Sequence, residues 1–309
     1  MKKLCVVVLL LISIFVINGC AYDEEYYLNL EVTQRTSLTT LQTKYDTLIN
    51  KKEELKQEIQ KYNKLNNENN EYIKELQEKL DKVDIELEDA LNKIKLIEGN
   101  IITGSVQITQ VSYNTNGWWF IKFKENEEAS TGSGFIISKK DGYYYVMTNF
   151  HVVELHENKE DNDIYIYDYQ NSEYKGTVLF ISEKYDMALV RFKSNKNYHI
   201  NILAEKDPEI GENIFVIGTP KGQLQSVSTG VVERYRKVST DTYTTEYDCF
   251  ETSAFSRQGN SGGVMLNEAL QVAGITTWGL KNDSYVSYSH LGSPVTIIKQ
   301  FLKENNFNI

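Results

Sequence analysis

The chain has 309 residues, with 33 Lys plus Arg against 43 Asp plus Glu for a formal charge of −10, and 41% of it is apolar. That apolar share suffices for a packed core and excludes wholesale disorder, while the acidic balance argues against a nucleic-acid binder, which needs a basic face. Three cysteines are too few for a disulfide framework.

In chain order the first segment is residues 1–19. Lys2 and Lys3 precede fourteen uncharged residues, Leu4 to Ile17. At ~1.5 Å per residue these cover roughly 21 Å, short of the ~30 Å hydrocarbon core, so the segment reads as a signal peptide and not as a permanent span. It ends in Ile17-Asn18-Gly19-Cys20, which resembles the lipobox of bacterial lipoproteins. The resemblance implies cleavage, a lipid on Cys20 and a location on the extracytoplasmic face of the cell membrane. Cys5 would be discarded and Cys249 left as the only free thiol. Cys249 sits in an alternating run, Tyr247 to Phe250, and is expected to be buried and structural.

A polar tether over 20–37 leads into a region, 38–98, that contains neither Pro nor Gly. Heptad a positions starting at Tyr45 and d positions starting at Leu41 run to Ile94 and Ile97, and fourteen of the seventeen are apolar. The exceptions are Lys52, Asn66 and Asn69. A sustained 3.5-residue repeat is a coiled-coil signal, because it keeps one stripe facing a partner helix. The expectation is one rod, roughly 90 Å long at ~1.5 Å per residue, in a parallel homo-oligomer, with the two Asn fixing register. Gly99 and Asn100 supply the helix stop.

From 99 to 309 glycine returns and short β-branched runs alternate with turn residues. They are Ser105 to Val111, Trp118 to Lys124, Gly134 to Ser138, Tyr143 to Thr148, Ile164 to Tyr169 and Gly176 to Ser182. Met187 to Phe192, Asn213 to Ile217, Ser226 to Glu233, Tyr243 to Thr252, Gly263 to Leu266 and Gln271 to Thr277 follow. About a dozen strands indicate an all-β sandwich or barrel pair. Ser293-Pro294 opens a closing amphipathic helix, with Ser as N-cap and Pro at the first helical position.

Three motifs sit on this framework. Ser261 lies among glycines in Gly259-Asn260-Ser261-Gly262-Gly263, His151 follows the strand ending at Thr148, and Asp186 precedes the strand from Met187. A Ser hydroxyl is a poor nucleophile until a His takes its proton, and that His needs a carboxylate to fix its tautomer. The G-x-S-x-G pattern also occurs in α/β-hydrolases, but there the acid and His follow the Ser and a helix comes directly after it. Here His151 and Asp186 both precede Ser261, and a β-like run follows it.

With Gly132 to Ile137, Thr148 to Val153, Tyr185 to Val190, Gly211 to Pro220, Gly259 to Gly263 and Gln271 to Gly279, the region from about Ser105 resembles the trypsin-like serine peptidases, nearest the HtrA/Deg branch. The resemblance implies an all-β double six-stranded barrel with a C-terminal helix. It implies Ser261 as nucleophile, His151 as base and later acid, and Asp186 as its orienter. The N–H groups of Gly259 and Ser261 would form an oxyanion hole. Phe255 would lie at the base of the specificity pocket, with Thr277, Trp278 and Gly279 along its wall. No acid stands at Phe255, which disfavours a Lys or Arg side chain there and favours a small or apolar one. Asn260 in place of Asp implies that no activating cleavage is needed. The chain ends at Ile309 without the PDZ domain common in that branch, so the coiled coil is expected to replace it as the oligomerising element.

His156, His199 and His290 are read as structural or surface residues. No metal or cofactor is expected, since His151-x-x-Glu154-x-His156 lacks the spacing of a helical zinc site. The expected partners are a protein or peptide substrate, the membrane and other copies of the chain. The alternatives are a non-enzymatic scaffold or binding lipoprotein and a hydrolase of esters.

Overall fold

The protein is described by a computed structural model covering residues 24–65, 70–118, 121–219, 226–239, 244–256, 258–281 and 288–309. The signal segment and residues 20–23 of the tether, Cys20 among them, lie outside the described residues; the rest of the tether, 24–37, is helical and continuous with the heptad region, so the helix begins well before residue 38.

The heptad region is not one rod. Helix α1 spans Glu24–Leu65 and α2 spans Asn70–Gly99, and the two pack on each other within the chain. Lys52 Nζ is 2.6 Å from Asp84 Oδ1, Tyr72 donates to Glu58 at 2.9 Å, and the Tyr62 and Tyr72 rings meet edge to face at 4.9 Å. Residues early in one helix thus meet residues late in the other, an antiparallel hairpin. Leu48, Leu55, Leu76 and Val83 form its buried seam, flanked by Ile59, Tyr62, Leu80 and Leu87. The stripe expected to face another copy is therefore occupied in cis, and the argument for a parallel homo-oligomer falls with it. Asn66 and Asn69 fall between the helices and outside the described residues, in a run with four Asn in five positions, 66–70. Asn competes with the helical backbone for hydrogen bonds, so this run is where the pattern is weakest.

Beyond the hairpin, Ile101–Gly104 forms a short 3-10 turn. Ile97 and Ile101, at 1% and 2% exposure, enter the main core beside Phe135, Met147, Leu189, Ile217 and Phe301. Helix α1 also touches one barrel strand, Ser226–Arg236.

Twelve antiparallel strands then form two closed six-stranded barrels. The first contains β1 (Ser105–Trp118), β2 (Ile121–Lys140), β3 (Tyr143–Thr148), β4 (Asp161–Tyr167), β5 (Glu173–Ser182) and β6 (Met187–Lys193), in the order β1-β2-β3-β6-β5-β4. The second contains β7 (Asn213–Gly218), β8 (Ser226–Arg236), β9 (Cys249–Thr252), β10 (Val264–Leu266), β11 (Val272–Lys281) and β12 (Tyr288–Pro294), in the order β10-β11-β12-β9-β8-β7. Closure leaves no free sheet edge. Strand residues alternate between barrel interior and the shared core: Val106, Ile108, Ile136 and Val190 fill the first barrel, while Phe135, Ile137 and Leu189 face the second.

Several boundaries differ from the sequence reading. Residues 121–124 and 134–138 are parts of one long β2, while Trp118 closes β1; only the last four residues of the 243–252 run are β9; and β12 corresponds to none of the sequence runs. The one-turn α3 (Phe150–Val153) follows β3. The closing helix α4 spans Val295–Glu304, buries Val295, Ile298, Phe301 and Leu302, and has Pro294 at its N-cap position. Ser293 does not cap it, because its hydroxyl is buried in β12 and pairs with Tyr247 at 2.8 Å. Asp207 does that work from a distant loop, accepting the Thr296 N–H at 2.9 Å and the Thr296 hydroxyl at 2.7 Å.

Candidate active site

His151 lies in α3, directly after β3. Two side chains at the end of β3 anchor it: Thr148 Oγ1 donates to the Ser133 carbonyl at 2.7 Å, and Asn149 Nδ2 to the Asp186 carbonyl at 2.8 Å. Asp186 stands at the mouth of β6, 2% exposed, at φ 50°. Asp is among the few residues that tolerate this left-handed conformation. Its Oδ1 accepts the His151 backbone N–H at 3.1 Å, and Oδ1 and Oδ2 lie 3.0 and 2.8 Å from His151 Nδ1. A carboxylate only accepts, so Nδ1 carries the ring hydrogen and Nε2 is left with a lone pair.

Ser261 comes from the turn between β9 and β10. Gly262 has φ 82°, and a Cβ there would collide with the Ser133 carbonyl and Thr148 Oγ1 and stand 3.1 Å from the Asn149 nitrogen. The turn is therefore laid against the segment that leads to His151, at a distance only glycine permits. The Ser261 carbonyl accepts the Ser133 N–H at 2.7 Å, and the Gly262 N–H bonds Thr276 at 2.9 Å. Ser261 Oγ makes a long bond to the Thr277 carbonyl at 3.3 Å. Among the described residues neither the Gly259 nor the Ser261 N–H has an acceptor in the chain, leaving two donors beside the hydroxyl.

On the side expected to receive substrate, Phe255 is half-buried and its ring meets His290 edge to face at 5.1 Å. Ser228 donates to the Phe255 carbonyl. His290 is 7% exposed. Its Nδ1 accepts the Ser256 N–H at 3.3 Å and lies 3.0 Å from Ser256 Oγ. Burial pushes its pKa down to about 4, so the ring is neutral at pH 7. Thr277 is buried, with Oγ1 donating to the Leu291 carbonyl at 3.3 Å. The Trp278 and Gly279 backbone belongs to β11, where Gly279 pairs with His290; the Trp278 side chain lies outside the described residues. No local stretch of sequence joins Ser256 to His290, because the β9–β12 pairing makes the link by setting His290 opposite Thr252.

Among the remaining candidates, His156 lies 3.3 Å from the exposed Glu128, and the His199 pKa is lowered by burial. Cys249 is fully buried, which pushes its thiol up to about 12. No cluster of three metal-binding side chains occurs among the described residues, and no described helix is long and apolar enough to cross a membrane.

The two barrels and their closing helix are the trypsin-like fold, and residues 132–275 match the family model described as a trypsin-like peptidase domain. Among similar curated proteins, "Serine protease HTRA1" of Xenopus tropicalis is 32% identical over 188 residues, covering 60% of this chain and 38% of the relative. A "Probable periplasmic serine endoprotease DegP-like" of Chlamydia pneumoniae is 30% identical over 154 residues, covering 50% of this chain and 30% of the relative. "Magnetosome formation protease MamE" of Magnetospirillum gryphiswaldense is 29% identical over 150 residues, 47% of this chain and 18% of that protein. The chain thus spans well under half the length of these relatives.

Proposed function

We propose that the protein is a serine endopeptidase that cleaves protein substrates through an acyl-enzyme intermediate. The observation that carries the reading is the His151–Asp186 pair, with Nδ1 2.8 Å from Oδ2, beside the glycine turn that presents Ser261. In this mechanism Nε2 of His151 takes the Ser261 hydroxyl proton as Oγ attacks the scissile carbonyl. The carbonyl oxygen becomes an oxyanion, received by the Gly259 and Ser261 N–H groups, a contribution worth about 10²–10³ in rate per donor. His151 then returns its proton to the leaving amine, and water repeats the sequence to free the acyl group. Asp186 stays ionised and holds the imidazolium. Phe255 at the base of the substrate pocket supports a small or apolar side chain on the acyl side of the cut.

Cys20 is the proposed lipid attachment point, supported by the basic start, the short apolar run and the Ile-Asn-Gly-Cys ending. The enzyme would then work at the extracytoplasmic face of the membrane. Loss of an alkyne-palmitate label in Cys20→Ala tests this, and equal labelling of both chains would refute it.

A fluorophosphonate probe tests the chemistry. Wild type should form an adduct on Ser261 that is absent in Ser261→Ala and strongly slowed in His151→Ala. An unlabelled wild type would favour a catalytically silent scaffold. Labelling with ester but no casein hydrolysis would favour an esterase.

A further inference from the structure

Ser133 on β2 has no part in the chemistry above, yet its side chain and both backbone groups touch the machinery. It is 1% exposed. Its Oγ lies 2.6 Å from the Gly259 carbonyl, accepts the Thr219 N–H at 2.8 Å and lies 3.1 Å from Thr219 Oγ1. A hydroxyl has one hydrogen and two lone pairs. The carbonyl can only accept, so the hydrogen goes to Gly259, and the Thr219 hydroxyl must be the donor in the third contact. All three capacities are used. The Ser133 N–H meanwhile donates to the Ser261 carbonyl, and its own carbonyl takes Thr148 Oγ1.

Gly259 is the residue that needs such a hold. It stands at φ 96°, and glycine populates both signs of φ about equally. Nothing intrinsic to the residue keeps its N–H aimed beside Ser261. The three groups belong to three separated parts of the fold: β2, the end of β7 and the nucleophile turn. Gly218 lets them converge, since a Cβ there would meet Asn260 Oδ1 at 2.8 Å and Ser133 Oγ at 3.1 Å.

We propose that Ser133 is the positioning residue of the oxyanion hole: its hydroxyl pins the Gly259 carbonyl, fixing the 259–260 peptide and the Gly259 Cα from which the oxyanion-hole N–H departs, relative to Ser261 and to β7. The inference rests on the proposed peptidase reading. It predicts a selective defect in transition-state binding when the hydroxyl is removed, because an oxyanion-hole donor acts on developing charge and not on ground-state substrate.

The test uses the full chain as wild type, Ser133→Ala and Ser133→Cys. The Cys variant keeps a γ atom in the buried site but donates only weakly, so it guards against a packing failure. Three measurements are made: kcat and KM on a peptide substrate, affinity for a peptidyl boronic acid, and deuterium exchange of the peptides holding Thr219 and Gly259. In Ser133→Ala, kcat should fall about 10–100-fold, less than the roughly 10²–10³ for losing one donor outright, with KM within twofold. Boronate affinity should fall in proportion to kcat, Ser133→Cys should lie between, and both peptides should exchange faster. Equal losses in kcat and boronate affinity with unchanged exchange at Thr219 and Gly259 would overturn the positioning role, as would an unchanged kcat. Should wild type itself prove inactive, the peptidase reading fails on its own. Exchange still decides whether Ser133 holds Gly259, with unaltered exchange in both variants refuting it.

Discussion

Replacing Asp186 by Asn leaves the shape of the site almost unchanged and reverses one hydrogen bond. The φ of 50° at this position is tolerated by Asn as well as Asp, so the backbone has no reason to move; Ala would add strain to the loss of charge. The amide must choose an orientation. The His151 backbone N–H donates to Oδ1 at 3.1 Å, so the amide oxygen takes that place and the NH2 takes the Oδ2 place, 2.8 Å from Nδ1. The NH2 donates, Nδ1 must accept, and the ring hydrogen moves to Nε2, which then has no lone pair to take the Ser261 proton. The general template for such a tautomer reversal is a loss of about 10⁴ in kcat, or about 5.4 kcal/mol at 1.36 kcal/mol per decade. We expect kcat/KM on a peptide substrate and the fluorophosphonate labelling rate to fall together by about 10³–10⁴, with KM within a few-fold. Thermal denaturation of both proteins supplies the folding control. A loss below tenfold at an unaltered Tm would refute the claim that this pair sets the tautomer.

Four further outcomes rest on the described geometry. In a chain beginning at Ala21, Cys249 is the only cysteine; it should resist maleimide at pH 8 and react once in denaturant, and rapid native labelling would contradict its burial. His290 titrates at about 4 when folded and near 6.5 when unfolded, so below pH 6.5 the unfolded chain binds the extra proton. Stability is then lost as pH falls from about 6.5 to 4, by up to about 3 kcal/mol. Urea titrations should show this slope flattened in His290→Gln, and identical slopes would sink the assignment. In the helical hairpin, Lys52→Cys with Asp84→Cys should be joined by a short bis-maleimide within one chain, whereas crosslinked multimers would restore the parallel rod. There Leu76→Ala should cost about 2–4 kcal/mol of local stability, read as faster deuterium exchange across both helices.

Local patterns carried most of the fold into view. Alternation marked eleven of the twelve strand regions in some form, and the chain order of His151, Asp186 and Ser261 chose between two hydrolase architectures. What stayed hidden depends on closure in three dimensions. A 3.5-residue repeat is equally suited to a partner chain and to the same chain folded back, and only the Asn-rich run at 66–70 hinted at the second. Strand β12 contains His, Gly, Ser and Pro, a composition that reads as a turn until β9 and β11 pair with it. The caps and hubs were invisible for the same reason. Asp207 reaches Thr296, and Ser133 reaches both Thr219 and Gly259, across separations that no local window spans.

The doubling back of the two helices changes how far the barrels would stand from a lipid on Cys20, were one attached there. A single rod would lift it roughly 90 Å from the tether. Helix α1 has 42 residues and α2 has 30, about 63 Å against 45 Å. Their opposed directions leave only the difference, about 18 Å of helix, between the start of α1 and the level where α2 enters the barrels. With a lipid on Cys20, the Ser261 turn would patrol a thin layer next to the bilayer. On that proposed arrangement, reach would be set by the difference between two helix lengths and not by their sum, so lengthening α1 alone would raise the barrels while lengthening both helices equally would not.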